Sequence, residues 1–538
     1  MYNHSMNDFE NIFKEIQSKS KWDKDSLQKI LKKYPKEGKG LYRHDELVRE
    51  YKRLIDEKKI HPDKTVEKRI RMKPTRTHSG VATVTVMMKP YMCPGNCIFC
   101  PNEPNMPKSY ISSEPGAQRA LKNNFDPYLQ TYNRILALQN IGHSTDKIEL
   151  IILGGTCSVY PQDYLIWFTK RCFDAMNSSE ETSYEKDSGI ENITWEDLFN
   201  SQKINEISKC RNVGLVFETR PDYITKDEIV RLRKLGATKI QIGVQSLNDE
   251  ILKLNNRGHT VKETEKAFEL LRLAGFKIHA HWMPNLYGST VKEDIKDFKK
   301  LWSKDFCPDE LKIYPTSIIK NTILEKYFKE GKYTPYTYNE LLSLFTSILP
   351  LTPRYCRLSR IVRDIPAGEI ISGNKISNFR EIAEKELLRK GKKLQDIRSR
   401  EIKEEDITFN DLEKEIITYK TSVSKEYFIS YKTKNSDKIC SFLRLSTPLR
   451  EPFIDELKNS SVIREVHVYG NVVNIGEKSK GNVQHLGLGR KMIKIAEDIS
   501  KRNGFRKISV ISAVGTRQYY RKLQFIDGVM YMSKETSY

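Results

Sequence analysis

Three cysteines stand within eight residues in the run Cys93-Pro-Gly-Asn-Cys97-Ile-Phe-Cys100. This C-x3-C-x2-C spacing puts three thiolates on one short loop. They can hold three irons of a 4Fe-4S cluster and leave the fourth iron free to bind a small chelator. Structural zinc is the competing reading, but it usually takes four protein ligands from two paired half-sites, and no second half-site is evident. The other six cysteines, Cys157, Cys172, Cys210, Cys307, Cys356 and Cys440, are scattered and read as buried or incidental. Without a secretion signal, nine cysteines in a long chain argue against a disulfide framework.

A second signature lies near the C-terminus, in Asn482-Val-Gln484-His-Leu-Gly487-Leu-Gly489-Arg490-Lys491. Glycines that open a helix expose amide N–H groups to a pyrophosphate, and the helix N-terminus adds a favourable field. Glycines also begin helices for steric reasons alone, so the flanking order carries the argument. A strand pattern, Glu465-Val-His-Val468-Tyr-Gly470, precedes the loop; a helix, another strand and Tyr519-Tyr520 before a further short helix follow it. Tyr520 is a candidate proton donor to a departing thiolate, with packing as its alternative role. His279 and His281 alternate on one strand and so face one side, where a second metal is conceivable but a substrate-facing or packing role fits better.

The elements that must position these groups fall into distinct textures. Residues 1–76 read as a basic helical region, with 21 Lys+Arg against 13 Asp+Glu, either a solvated face or a polyanion-binding surface. From about 79 to 363, apolar strands alternate with amphipathic helices, the pattern of a parallel α/β sheet. The strand candidates are Val81–Met87, Ile148–Leu153, Val213–Phe217, Lys239–Val244, Lys277–His281 and Leu311–Tyr314. Ala267, Leu270, Leu271 and Ala274 form one helical stripe for a sheet to cover. The polar stretch Ser178–Asn205 is expected to loop out, and the charged 385–410 to be a linker or connecting helix. A mixed α/β domain follows, with strands Glu426–Thr433, Ile439–Leu445, Val462–Val473 and Lys507–Ile511 and a helix Leu488–Asn503. The expected organisation is thus 1–76, 77–384, 385–410 and 411–538.

Three strand ends carry polar or glycine motifs where a barrel would bind ligands. These are Leu153-Gly154-Gly155-Thr156, Glu218-Thr-Arg220-Pro221 and Gly243-Val-Gln245-Ser246. The chain bears 92 Lys+Arg against 70 Asp+Glu, a net +22 that attracts polyanions without choosing among them. No stretch approaches the ~18 consecutive apolar residues of a membrane span, so no membrane partner is expected. The start, MYNHSMNDFENIF, lacks a basic-then-apolar layout, and a cytoplasmic location is the expectation.

The cysteine spacing after a strand, with Gly154-Gly155 at the next strand end, resembles the radical S-adenosylmethionine (SAM) superfamily. That resemblance implies a partial (β/α) barrel in which Cys93, Cys97 and Cys100 hold a 4Fe-4S cluster. It implies that Gly154, Gly155, Thr156, Glu218, Arg220 and Gln245 contribute to the SAM site. Gln484-x-x-Gly487-x-Gly489 is similar to the acetyl-CoA loop of GCN5-related acetyltransferases. Both modules in this order, with KPTRTHSGVA, DPYLQTYNRI, FETRPDYIT, IQIGVQSLND, REVHVYGNVV and VISAVGTRQYYRK, resemble the Elongator catalytic subunit family from about Lys73 to Met532.

The family resemblance implies that Lys147 touches acetyl-CoA from within the radical SAM module. Further acetyl-CoA contacts would come from Glu465, Val466, His467, Val468, Gln484, Gly487, Leu488, Gly489, Arg490 and Tyr520. It implies a tRNA carboxymethyluridine synthase that joins an acetyl-derived carbon to C5 of the wobble uridine, with tRNA as partner. The compact C-x3-C-x2-C spacing departs from eukaryotic members, which carry a longer insertion, and puts dependence on other Elongator subunits in doubt. A homodimer and Elongator-type subunits both stay open. The competing readings are a protein lysine acetyltransferase with a structural cluster and, less favoured because both motif sets are intact, a tRNA-binding scaffold.

Overall fold

The computed structural model describes residues 2–23, 25–36, 40–73, 77, 79–178, 189–403, 407–469 and 487–536. The N-terminal helices Tyr2–Ser18, Ser26–Leu31, His44–Asp56 and Lys64–Ile70 follow the expected helical texture. They close over a small core of their own, including Ile12, Phe13, Ile30, Leu47, Leu54 and Ile70.

Next comes a sheet built from β1 (Ala82–Met87), β2 (Lys147–Leu153), β3 (Arg211–Thr219), β4 (Lys239–Gln245), β5 (Lys277–Trp282) and β6 (Glu310–Ile313). After a short β7 (Ile318–Ile319), the seventh strand of that sheet is β8 (Arg357–Ile361). All its pairings are parallel, in the order β1-β2-β3-β4-β5-β6-β8, with β1 and β8 at the edges. β7 pairs instead with β9 (Ile370–Ser372). Threonines fix where the covering helices begin. Thr225, Thr260, Thr290 and Thr337 each accept the backbone N–H of a glutamate three residues on, satisfying a donor that the first helical turn would otherwise orphan. The expected stripe holds, with Ala267, Leu271 and Ala274 buried under the sheet.

One expectation needs correction. Trp195–Asn205 is a helix rather than part of a loop, started by a reciprocal Thr194–Asp197 capping box and anchored by buried Leu198; residues 179–188 lie outside the described residues. β8 was absent from the strand candidates because arginines at 357 and 360 break the apolar run. The charged stretch after 385 holds the end of helix Phe379–Arg389 and helix Ile397–Arg400, and it is packed. Leu387, Ile397 and Ile402 are buried, and the buried Asp396 accepts the Leu358 and Arg398 backbone N–H groups.

The C-terminal module is a mixed sheet of β10 (Leu412–Lys420), β11 (Ser424–Thr433), β12 (Ile439–Pro448), β13 (Ser460–Val468), β14 (Lys507–Val510), β15 (Ile526–Asp527) and β16 (Met532–Glu535). Its order is β10-β11-β12-β13-β14-β16-β15; β13–β14 is parallel and the other strand pairs among the described residues are antiparallel. Helix Leu488–Arg502 covers it through Leu488, Met492, Ile493 and Ala496.

This module seats against the N-terminal ends of the barrel strands. At Gly515 an added Cβ would fall 2.6 Å from the Cβ of Arg211, at the start of β3, so only glycine allows that approach. Asp309, just before β6, is completely buried and bonds both nitrogens of Arg464 from β13, at 2.6 and 2.8 Å. Arg272 and Arg444 also reach it, at 3.2 and 3.4 Å. Burial alone would raise the Asp309 carboxyl, but Arg464, Arg272 and Arg444 outweigh it and hold the group well below the usual carboxylate range.

Candidate active site

A single cavity of about 1320 Å³ runs between the two modules and through the barrel. Cys93, Cys97 and Cys100 line one end, Val466, Gly489 and Tyr520 the other, and inward-facing charged side chains of the barrel lie between.

At the first end the cysteine loop follows β1. Ile98 and Phe99 anchor it by packing with Ile251, Leu286 and Leu324. The Cys97 thiol lies 3.4 Å from Arg257 Nη1. Hydrogen bonding from Cys100, then the charges of Arg257 and Arg220, lowers Cys97 to about 5, while the same bond and burial raise Cys100. Cys93 Sγ lies 4.0 Å from Thr156 Oγ1, which brings the Gly154-Gly155-Thr156 turn beside the loop. Among the described residues no three His, Cys, Asp or Glu side chains converge on a single-ion site. A cubane asks for a different arrangement, each thiolate on its own iron.

The surroundings fit a cluster with an amino-acid-headed ligand. Two guanidiniums, Arg220 and Arg257, border the thiolates. Arg220 is held by Asp222 at 2.9 Å and by the Arg257 carbonyl at 2.8 Å, yet its Nη1 is occluded and has no partner. That nitrogen lies 2.3 Å from the position a Cβ on Gly95 would take, so a side chain there would displace it. Gln245, at the end of β4, adopts φ 67° and also leaves an occluded Oε1 unpaired. An unpaired donor and acceptor beside three thiols suit the carboxylate and ammonium of SAM, whose polar head would otherwise be buried without partners. Glu218, at the end of β3, accepts the Tyr110 hydroxyl at 2.5 Å.

At the far end β13 and β14 pair only from Ser460–Lys507 to Ile463–Val510. β13 continues to Val468, leaving Glu465–Val468 without a strand partner on that edge among the described residues. Such an edge offers backbone groups to the amides of a pantetheine arm. Gly487 takes a left-handed φ of 64° to open helix Leu488–Arg502. A Cβ on Gly489 would lie 2.6 Å from the Tyr519 hydroxyl, so the glycine keeps the helix mouth open. Leu488 turns its side chain into the core, which leaves its backbone N–H for a ligand. Gly489, Arg490, Val466, His467 and Val468 line the cavity, and Lys147 lines it from the start of β2. Gln484 lies outside the described residues.

Tyr520 is buried beside the wedge, and burial raises its phenol, keeping it in the protonated form that can donate. The Glu465 side chain is committed elsewhere, to Lys277 at 2.6 Å and Arg444 at 2.8 Å.

Between the ends, Glu149, Lys239, Glu310 and Lys277 form an ion-paired layer that ends on Glu465. Above it sit Glu218, Gln241, His281 and Lys312. His279 bonds Ser359 at 2.7 Å and His281 bonds Gln241 at 3.1 Å, so both imidazoles have protein partners. Burial pushes both well below the ordinary histidine value. Sequence reasoning missed Arg257, Tyr110, Lys277 and Lys312. A signal for the last two existed: charged or polar residues at alternate positions of Lys239-Ile-Gln241, Lys277-Ile-His279 and Glu310-Leu-Lys312 put polar groups on one face of otherwise apolar strands.

The Radical SAM superfamily profile matches residues 89–301, and the Radical_SAM C-terminal domain profile matches 308–389. The tRNA uridine(34) acetyltransferase of Methanocaldococcus infernus is 41% identical, over 95% of this chain and 98% of its own length. Human Elongator complex protein 3 is 36% identical, over 86% of this chain and 85% of its own. The chain belongs to the Elongator complex protein 3 family. A solved structure of the archaeal family member from Methanocaldococcus infernus, lacking its residues 1–46, is similar over 85% of this chain and 99% of that one, with a TM-score of 0.71 and 39% identity. Both the parallel half-barrel and the mixed sheet are therefore features of the Elongator complex protein 3 fold. Among the described residues no helix is long and apolar enough to cross a membrane.

Proposed function

We propose that this protein is a tRNA carboxymethyluridine synthase that attaches an acetyl-CoA-derived carboxymethyl group to C5 of the wobble uridine. The observation that carries the reading is the single cavity joining a three-thiol loop to an acyl-CoA wedge. A lysine acetyltransferase with a structural cluster has no need of that connection. The names of the relatives, tRNA uridine(34) acetyltransferase among them, support the same substrate.

When bound, the cluster and SAM supply a 5'-deoxyadenosyl radical able to take hydrogen from an acetyl methyl group. Cys93, Cys97 and Cys100 hold the cluster. Arg220, Gln245, Glu218 and the Gly154–Thr156 turn surround the SAM head. The open edge of β13, the amides at Leu488–Arg490, and Lys147 hold acetyl-CoA, and the phenol of Tyr520 protonates the thiolate that leaves on hydrolysis. Nucleoside analysis of tRNA incubated with the protein, SAM, reductant and acetyl-CoA tests the reading: carboxymethyluridine at the wobble position supports it, and unmodified uridine with acetylated lysines overturns it.

Two outcomes follow for individual parts. Tyr520→Phe removes a positioned proton donor, and CoA release falls ~10²–10⁴-fold, read as free thiol over time, with little change in acetyl-CoA binding. The basic N-terminal helices are proposed to bind tRNA phosphates. Neutralised phosphates release counterions, with a log–log salt slope of about 0.7 to 0.9 per phosphate contact. Deleting residues 1–70 therefore weakens tRNA binding and flattens that slope; unchanged affinity and slope would make the region only a solvated face.

A further inference from the structure

The lumen holds a lysine that the roles above leave unused. Lys312 points inward from β6, in register with His281 of β5 and Arg360 of β8. It is half-buried and lines the cavity between the cluster loop and the acyl wedge. Its Nζ donates to Gln241 Oε1 at 2.5 Å, an oxygen that also faces His281 Nε2 at 3.1 Å. Lys239 and Lys277, which face the lumen from the adjoining strands β4 and β5, each hold a carboxylate at 2.6 Å, whereas Lys312 has no carboxylate at ion-pair distance among the described residues. An amine drawn partly out of water without a carboxylate at ion-pair distance is costly to keep charged, and sites of this kind are where enzymes place bases.

We propose that Lys312 is the general base that removes the C5 proton of the target uracil, a role that rests on the wobble-uridine reading above. When a carbon-centred radical adds to C5, the C5=C6 bond opens. C5 then carries both its hydrogen and the new C–C bond, and the unpaired electron lies on C6. Restoring C5=C6 breaks the C5–H bond: the proton passes to Lys312 Nζ, and one electron leaves C6 for an oxidised iron–sulfur centre.

The groups facing Lys312 favour it over its neighbours for this task. Glu218 faces it from β3, Lys239 and Gln241 from β4, His281 from β5, Glu310 from β6, and Arg360 from β8. Burial first, then Arg360 and Lys239, lower the amine, while Glu218 and Glu310 raise it, leaving it at about 7. A base so poised is part-neutral at working pH and still strong enough to accept a proton. His279 and His281 are pushed far below their ordinary value, and the Glu218 carboxylate is occupied by Tyr110.

The first test needs neither cofactor nor substrate. In the native protein, trace acetic anhydride labelling across pH 5–10, read by peptide mass spectrometry, gives Lys312 a reactivity midpoint near 7. A midpoint in the ordinary lysine range, about 10, overturns the assignment. The second test uses the cluster-loaded enzyme with methyl-deuterated acetyl-CoA. Lys312→Met still passes deuterium to 5'-deoxyadenosine but makes ~10²–10⁴-fold less modified uridine, and small primary amines restore product to Lys312→Ala. Equal loss of deuterium transfer and product, or restoration by Lys312→Arg, which cannot act as a base at neutral pH, overturns it. If the native enzyme itself transfers deuterium but modifies no uridine, the wobble-uridine reading fails and takes this role with it.

Discussion

Cys97→Ala is expected to abolish carboxymethyluridine formation outright while leaving acetyl-CoA binding intact. Cys97 is the central thiol of the loop and the one that Arg257 contacts directly, at 3.4 Å. Removing it leaves two thiolates, too few to fill the three-thiolate role of this loop. After anaerobic reconstitution the native protein carries about four irons per chain, and the variant loses most of that iron together with its SAM-dependent spectral change. The acyl wedge between β13 and β14 draws nothing from the cysteine loop, so CoA binding measured by calorimetry stays within about twofold, well under the 1.4 kcal/mol of a tenfold change. Stoichiometric zinc in the reconstituted native protein would contradict the iron–sulfur assignment.

Asp309→Asn carries the largest expected effect on stability. Asp309 bonds two nitrogens of Arg464 across the seam, Arg272 and Arg444 share it, and Glu426 holds Arg464 from within the C-terminal module at 2.7 Å. Neutralising it leaves buried guanidiniums under-compensated, which costs about 3–5 kcal/mol in comparable buried pairs. Urea unfolding followed by fluorescence shows the loss. Removing Arg464 as well, in Asp309→Asn/Arg464→Met, costs less than the sum of the single changes, because their shared bonds are lost only once, although Glu426 then keeps only Arg272 as an ion-pair partner among the described residues, at 3.8 Å. The pH dependence has a definite sign. The folded carboxyl lies below its unfolded value of about 3.9, so its contribution is full above that value and is lost as pH falls toward the folded one. A variant as stable as the native protein at pH 7 would show that the seam is held by apolar packing instead.

Much of this architecture is legible from residue types. The six apolar strand runs, the N-terminal helices and the glycine loop that opens Leu488–Arg502 all declare themselves through periodicity and capping chemistry. The cysteine loop is legible because thiols at that spacing have few other uses. What periodicity could not give is the seam. Asp309, Arg464 and Arg444 are ordinary charged residues in sequence and become a buried cluster only when two sheets meet. β8 hides for a related reason: its arginines face a polar lumen, so the strand lacks the apolar face by which strands are recognised. Arg257 and Tyr110 reach the site from loops, whose positions no local pattern encodes. The edge left open on β13 likewise depends on where β14 stops pairing, a property of two strands some 40 residues apart in sequence.

The central claim, that one cavity couples radical chemistry to acyl chemistry on tRNA, is tested most directly with acetyl-CoA deuterated at its methyl group. Forming a carbon–carbon bond from that methyl requires the loss of one hydrogen, whereas acyl transfer to an amine keeps all three. The expected result is deuterium in 5'-deoxyadenosine and a carboxymethyl group on the wobble uridine that retains two deuterons. Unlabelled 5'-deoxyadenosine, unmodified uridine and fully deuterated acetyl groups on protein lysines would contradict it.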